Sequence, residues 1–131
     1  MNIYLVEYED LDFNEHQQYF LRKETADNYA RKIIMDMRDK INNNDFASKV
    51  YEEDRFKIEL RYIEKSYTEN HELYPIKFLE KINENIVKRK LLFNKPIIEY
   101  VLAFNIIDKD ENEAHEGIFT IKIKTIEVME E

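Results

Sequence analysis

The stretch Ile97-Ile98-Glu99-Tyr100-Val101-Leu102-Ala103-Phe104-Asn105-Ile106-Ile107 decides the fold. Ile98, Tyr100, Leu102, Phe104 and Ile106 recur at every second position, the spacing at which side chains of a β-strand return to one face. Residues 97–107 therefore read as a long strand. Downstream, Phe119, Ile121 and Ile123 alternate with Thr120, Lys122 and Lys124 and predict another strand. Asp108 to Gly117 reads as the turn between them. The apolar phase shifts by one at Ile126 and Val128, which points to a bulge near Thr125.

Upstream, Pro96 ends whatever precedes it. Ile76, Leu79, Ile82, Ile86 and Val87 fall at three- and four-residue spacings, predicting an amphipathic helix to about Phe93 with Pro75 in its first turn. Residues 66–74 are polar and read as a loop. Phe56, Ile58, Leu60 and Tyr62 alternate with Lys57, Glu59 and Arg61, another strand with one buried face. Residues 24–43 carry the clearest helical stripe, through Ala26, Tyr29, Ala30, Ile33, Ile34, Met37 and Ile41. Glu24 and Asp27 near its start, with Arg38 and Lys40 near its end, suit the helix dipole. Residues 2–8 and 17–22 read as strands joined by the acidic loop 9–16.

The predicted order is β-β-α-β-α-β-β. It defines an α+β single domain over residues 1–131, with a mainly antiparallel sheet of about five strands and two helices against it. Ile33, Ile34, Met37, Ile58, Leu60, Ile82, Ile86, Leu102, Phe104, Ile121 and Ile123 form the expected core.

Composition removes several kinds of chemistry. The chain has 131 residues and no Cys, so thiolate nucleophiles and Cys-based metal sites are excluded. A single Gly, Gly117, rules out glycine-rich phosphate loops and dinucleotide fingerprints. Ser48 and Ser66 lie in no glycine-flanked elbow. The N-terminus lacks the layout of a signal peptide, and no apolar stretch is long enough for a membrane helix, so a cytoplasmic location is expected. His16, His71 and His115 share no helical metal spacing; a site joining His16 to His115 is the one metal reading they allow, and solvated loop histidines are the simpler one. Asp108-Lys109-Asp110-Glu111-Asn112 opens like a calcium loop but has Glu113 and Phe119 where Gly and Glu are required. No cofactor and no catalytic residue is expected.

Charge is the remaining signal. The net charge is −8, which favours solubility and opposes direct binding to nucleic acid. Glu7, Glu9, Asp10, Asp12 and Glu15 form one acidic cluster. Asp108, Asp110, Glu111, Glu113 and Glu116 form another. Lys88-Arg89-Lys90 makes a basic run at the end of the second predicted helix. Carboxylates displayed on a rigid sheet can imitate a line of phosphates, although acidic turns also serve solubility alone.

Short length, a composition biased toward residues with AT-rich codons, absence of Cys and acidic loops on an α+β core resemble small accessory proteins of phages and mobile elements, including anti-CRISPR proteins that inhibit Cas nucleases. The Tyr-rich strands before Lys23-Glu24-Thr25-Ala26-Asp27-Asn28-Tyr29-Ala30 resemble a strand–strand–helix module of phage proteins. The resemblance carries no residue role with it. The acidic clusters and the missing catalytic signatures lead to the expectation of a non-catalytic binding protein that blocks a nucleic-acid-handling partner by occupying its cationic groove. The expected partner-binding residues are Glu9, Asp10, Asp12, Asp110, Glu111 and Glu113, with Tyr8 and Phe13 as aromatic anchors. Two alternatives stand beside this reading. One is a self-associating module such as a homodimer, suggested by Val101, Ala103 and Ile107 opposite the main apolar set. The other is a hydrolase using acids to hold Mg²⁺.

Overall fold

A computed structural model describes residues 1–43, 55–63 and 76–129. The chain is α+β, as its periodicities predict. Its described elements are β1 (Asn2–Glu9), β2 (Glu15–Phe20), α1 (Lys23–Asn42), β3 (Phe56–Leu60), β4 (Ile76–Lys81), β5 (Ile86–Leu91), β6 (Ile97–Asp108) and β7 (Glu113–Glu127). Seven strands and one helix replace the five strands and two helices expected. All strand pairs are antiparallel, in the order β2-β1-β7-β6-β5-β4. β3 also pairs with β6, along the half that β5 leaves free.

The stretch 97–107 is a strand and organises the sheet. One edge of β6 pairs with β7 along all twelve residues, from Ile97↔Lys124 to Asp108↔Glu113. Its other edge is divided. β5 takes Ile97 to Leu102, and β3 takes Phe104 to Asp108. Ala103 lies at the join, accepting from Arg61 N–H at 3.0 Å and donating to the Asn85 carbonyl at 3.0 Å.

The second predicted helix is instead the β4–β5 hairpin. Ile76, Leu79, Ile82 and Ile86 do fit a helical stripe, but Ile86 and Val87 are both buried and point to opposite faces, which a strand permits. Asn83 makes the turn. Its Oδ1 accepts from the N–H groups of Asn85 and Ile86, each at 2.8 Å, a side-chain-capped turn that competes with helix. A register shift lies between Phe78 and Glu80. None occurs near Thr125, where the pairing of β1 with β7 runs unbroken from Asn2↔Glu127 to Tyr8↔Ile121. The change of apolar phase there has another cause: Ile126 pairs with Ile3 on the face away from the helix. Pro75 and the loop predicted for 66–74 fall outside the described residues.

α1 packs on one face of the sheet. Ala26, Ala30, Ile34, Met37 and Ile41 are its buried stripe, against Val6, Ile58, Ile86, Tyr100, Leu102, Phe104, Phe119, Ile121 and Ile123. Ile33, Leu60 and Ile82, expected in this core, are only partly buried at its margin. The Tyr100 hydroxyl donates to Asp27 Oδ1 at 2.8 Å and ties the helix to the strand beneath it. Lys88 closes on the same carboxylate at 2.6 Å.

The other face carries a second buried set: Leu5, Val87, Leu91, Val101 and Ala103. Among them runs a cross-strand row of alternating charge, Glu7↔Lys122↔Glu99↔Arg89. Arg89 and Glu99 are buried and joined by hydrogen bonds of 2.8 and 2.5 Å. The predicted basic run is therefore split between the two faces of the sheet. Arg89 is neutralised inside, while Lys88 and Lys90 point to the helix side.

Candidate functional site: two acidic hairpin ends and the groove between them

Both acidic clusters lie at hairpin ends, and each hairpin holds its loop by one buried or bridged aspartate. In the β1–β2 hairpin the loop is shorter than the 9–16 expected, running from Asp10 to Asn14. Asp10 Oδ1 accepts from Asp12 N–H and Asn14 N–H, both at 2.9 Å, and Oδ2 meets His16 Nε2 at 2.7 Å. Burial alone would raise the Asp10 pKa, but the His16 bond and these two amides outweigh it and hold the carboxyl below its usual range. Asp10 thus shapes the loop through both of its carboxylate oxygens.

Tyr8, expected as an anchor, is also engaged internally. Its ring stacks on His16 with centroids 4.7 Å apart and meets Phe119 edge-on at 6.2 Å. Burial, then the Tyr29 hydroxyl beside it, push its phenol up to about 12. Phe13 differs. It is 70% exposed and holds a left-handed backbone, φ 65°, which costs a bulky side chain energy.

Glu9 and Glu15 are register partners across the hairpin. Like charges directly opposite one another destabilise a strand pair. Neither they nor the exposed Asp12 forms an ion pair among the described residues.

The β6–β7 hairpin closes on an equivalent acidic pair, Asp108↔Glu113, with a different outcome. Asp108 is buried and meets Arg55 at 2.5 Å, and its Oδ1 accepts from Asp110 N–H at 3.1 Å. The Arg55 bond, against the effect of burial, holds the Asp108 carboxyl below the usual carboxylate range. Glu111 lies 3.9 Å from the same guanidinium, and Arg61 bridges Glu116. Asp110 and Glu113 are exposed. The turn itself is only Lys109 to Asn112, far shorter than the 108–117 expected. Glu113 to Glu116 already belong to β7, but exposed on both faces they offer no apolar period to read.

The two acidic groups are not brought together. Tyr8 pairs with Ile121, and Glu113 lies eight residues farther along β7, about 26 Å at the usual strand rise. The space between is a groove of about 330 Å³, with Glu9, Asp10 and Phe13 on one wall and Ile58, Ile106 and Ile118 among its apolar lining. Sequence reasoning placed Glu15 in the acidic cluster but not among the binding residues; its position opposite Glu9 follows from the strand register, which a reading of 9–16 as a loop does not give. Sequence reasoning also missed Ile118, which is 41% exposed although Phe119 beside it is buried.

His16 is taken up by Asp10, and His115 lies 3.6 Å from Glu113; His71 falls outside the described residues. Among the described residues no three acid or histidine side chains converge as a metal-binding group, and no helix is long and apolar enough to cross a membrane. The chain matches no protein-family model, no curated protein and no solved structure.

Proposed function

We propose that this chain is a non-catalytic binding protein whose β1–β2 hairpin end docks on a basic protein surface, the nucleic-acid groove of a nucleic-acid-handling protein such as a Cas nuclease. The observation that carries the reading is the unrelieved opposition of Glu9 and Glu15 beside an exposed Phe13 at positive φ. Local conflicts of this kind cost stability and concentrate at functional sites. A cationic partner would relieve the repulsion, and the apolar groove beside Phe13 would receive a side chain from it. The second hairpin supplies Asp110, Glu111 and Glu113 as a more distant contact, already partly neutralised by Arg55.

Self-association is less well supported, because of the three residues that suggested it Val101 and Ala103 are fully buried within the single chain and only Ile107 is partly exposed. The test is inhibition of a panel of purified nucleases, RNA-guided ones included. Inhibition that excess nucleic acid relieves, and that Glu9→Lys with Asp12→Lys abolishes, supports the reading. Absence of binding to every basic partner tested overturns it.

A further inference from the structure

At the opposite end of β1 the surface changes sign. A pocket of about 390 Å³ opens between the start of α1 and the ends of β1, β5 and β7. Lys23, Lys90 and Lys95 line it against a single acid, Glu127. None of the three lysines has an ion-pair partner among the described residues, in a chain whose net charge is −8. Three unpaired ammonium groups around one cavity repel each other, so an anion placed among them is attracted by all.

The cavity is not only cationic. Ile98 and Ile123 form its floor and continue into an adjoining pocket of about 460 Å³, which Leu79 also lines. Of the charges in that second lobe, Asp27 is already neutralised by Lys88, leaving Glu24 and the shared Lys23. The first turn of α1 borders the same space, and its N-cap position is Arg22, which makes no capping bond. Its leading N–H groups therefore lack the side-chain acceptor that helix starts usually have.

We infer that this two-lobed pocket binds a small amphiphilic anion, its phosphate or carboxylate head among Lys23, Lys90 and Lys95 and its apolar body over Ile98 and Ile123. The head gains charge-assisted hydrogen bonds, and the body covers the part-buried Ile98 and the exposed Leu79, Ile123 beneath being already buried. The inference is independent of the proposed docking at the acidic hairpin, since the two sites occupy opposite ends of β1.

Calorimetric titration of the intact chain at low salt tests it with three probes: inorganic phosphate, AMP and octanoate. AMP or octanoate should bind saturably at least tenfold tighter than inorganic phosphate, and whichever binds identifies the head group as phosphate monoester or carboxylate. Lys90→Gln with Lys95→Gln should weaken that binding tenfold or more. Lys95→Gln alone, in an exposed turn, should weaken it measurably without touching the sheet, so a folding defect in the double variant cannot mimic the result. No saturable binding of either amphiphile up to millimolar concentration, or binding unchanged in Lys95→Gln and the double variant, overturns the inference.

Discussion

Gly117 faces Phe104 across the β6–β7 pair, and a β-carbon at position 117 would overlap the edge of that ring. The only glycine of the chain thus serves close packing and no turn; its φ is not positive. Gly117→Ala should push the ring off its place in the core and cost about 1–3 kcal/mol. Chemical denaturation reads this directly. A second substitution, Phe104→Leu, should recover part of the loss in the Gly117→Ala background by vacating the overlap.

The acidic pair at the first hairpin should be a liability in the free protein. Glu15→Gln removes the charge opposite Glu9 and should raise stability by about 0.2–1 kcal/mol, a rise of about 1–4 °C in the melting midpoint. The gain should shrink in high salt, which screens exposed charges. A melting midpoint that is unmoved at low salt would mean that the two carboxylates already avoid one another.

Arg89 and Glu99 form a pair that should not be broken singly. Arg89→Met leaves a carboxylate buried without its partner and should cost about 3–5 kcal/mol. Arg89→Met together with Glu99→Leu should cost much less, because both charges then leave the apolar face. Double-mutant-cycle denaturation separates the two cases.

Acid should unfold the protein through Asp10 and Asp108. Both carboxyls sit below their ordinary value in the fold, so the stability they contribute is fully present above about pH 4, the unfolded carboxyl value. It is lost as pH falls through their folded values. Asp10→Asn and Asp108→Asn should each flatten the stability profile in this acid range, which thermal melts between pH 2 and 6 would show.

The strands of longest apolar alternation were legible in the sequence, because period-two burial on one face is what places Leu102, Phe104, Ile121 and Ile123 in the core. The stripe of α1 was legible for the same reason at helical period. The β4–β5 hairpin was not. Its spacings satisfy a helix, and only tertiary facts decide against one: burial on both faces of β5 and the Asn83 turn. The extension of β7 toward Glu113 was hidden because an exposed strand arm leaves no hydrophobic trace. At the candidate site Asp10, Asp12, Phe13, Asp110 and Glu111 could be read as loop residues, whereas Glu9 and Glu113, read the same way, belong to strands. That Asp10 is consumed within its own loop, and that Tyr8 stacks on His16, depends on register and could not be read.

Because β6 is shared end to end between β3 and β5, its outer edge is protected by two separate stretches of chain. Each can detach while the other, and all of β7, stays in place. Native-state hydrogen exchange should therefore divide the amides of this one strand that bond outward into two groups opening with different free energies, the break falling at Ala103. A twelve-residue strand that looks uniform in sequence would then behave as two cooperative units, and loosening of the half beside β3 would reach the groove wall at Ile106 without disturbing the lysine-lined pocket at the far end.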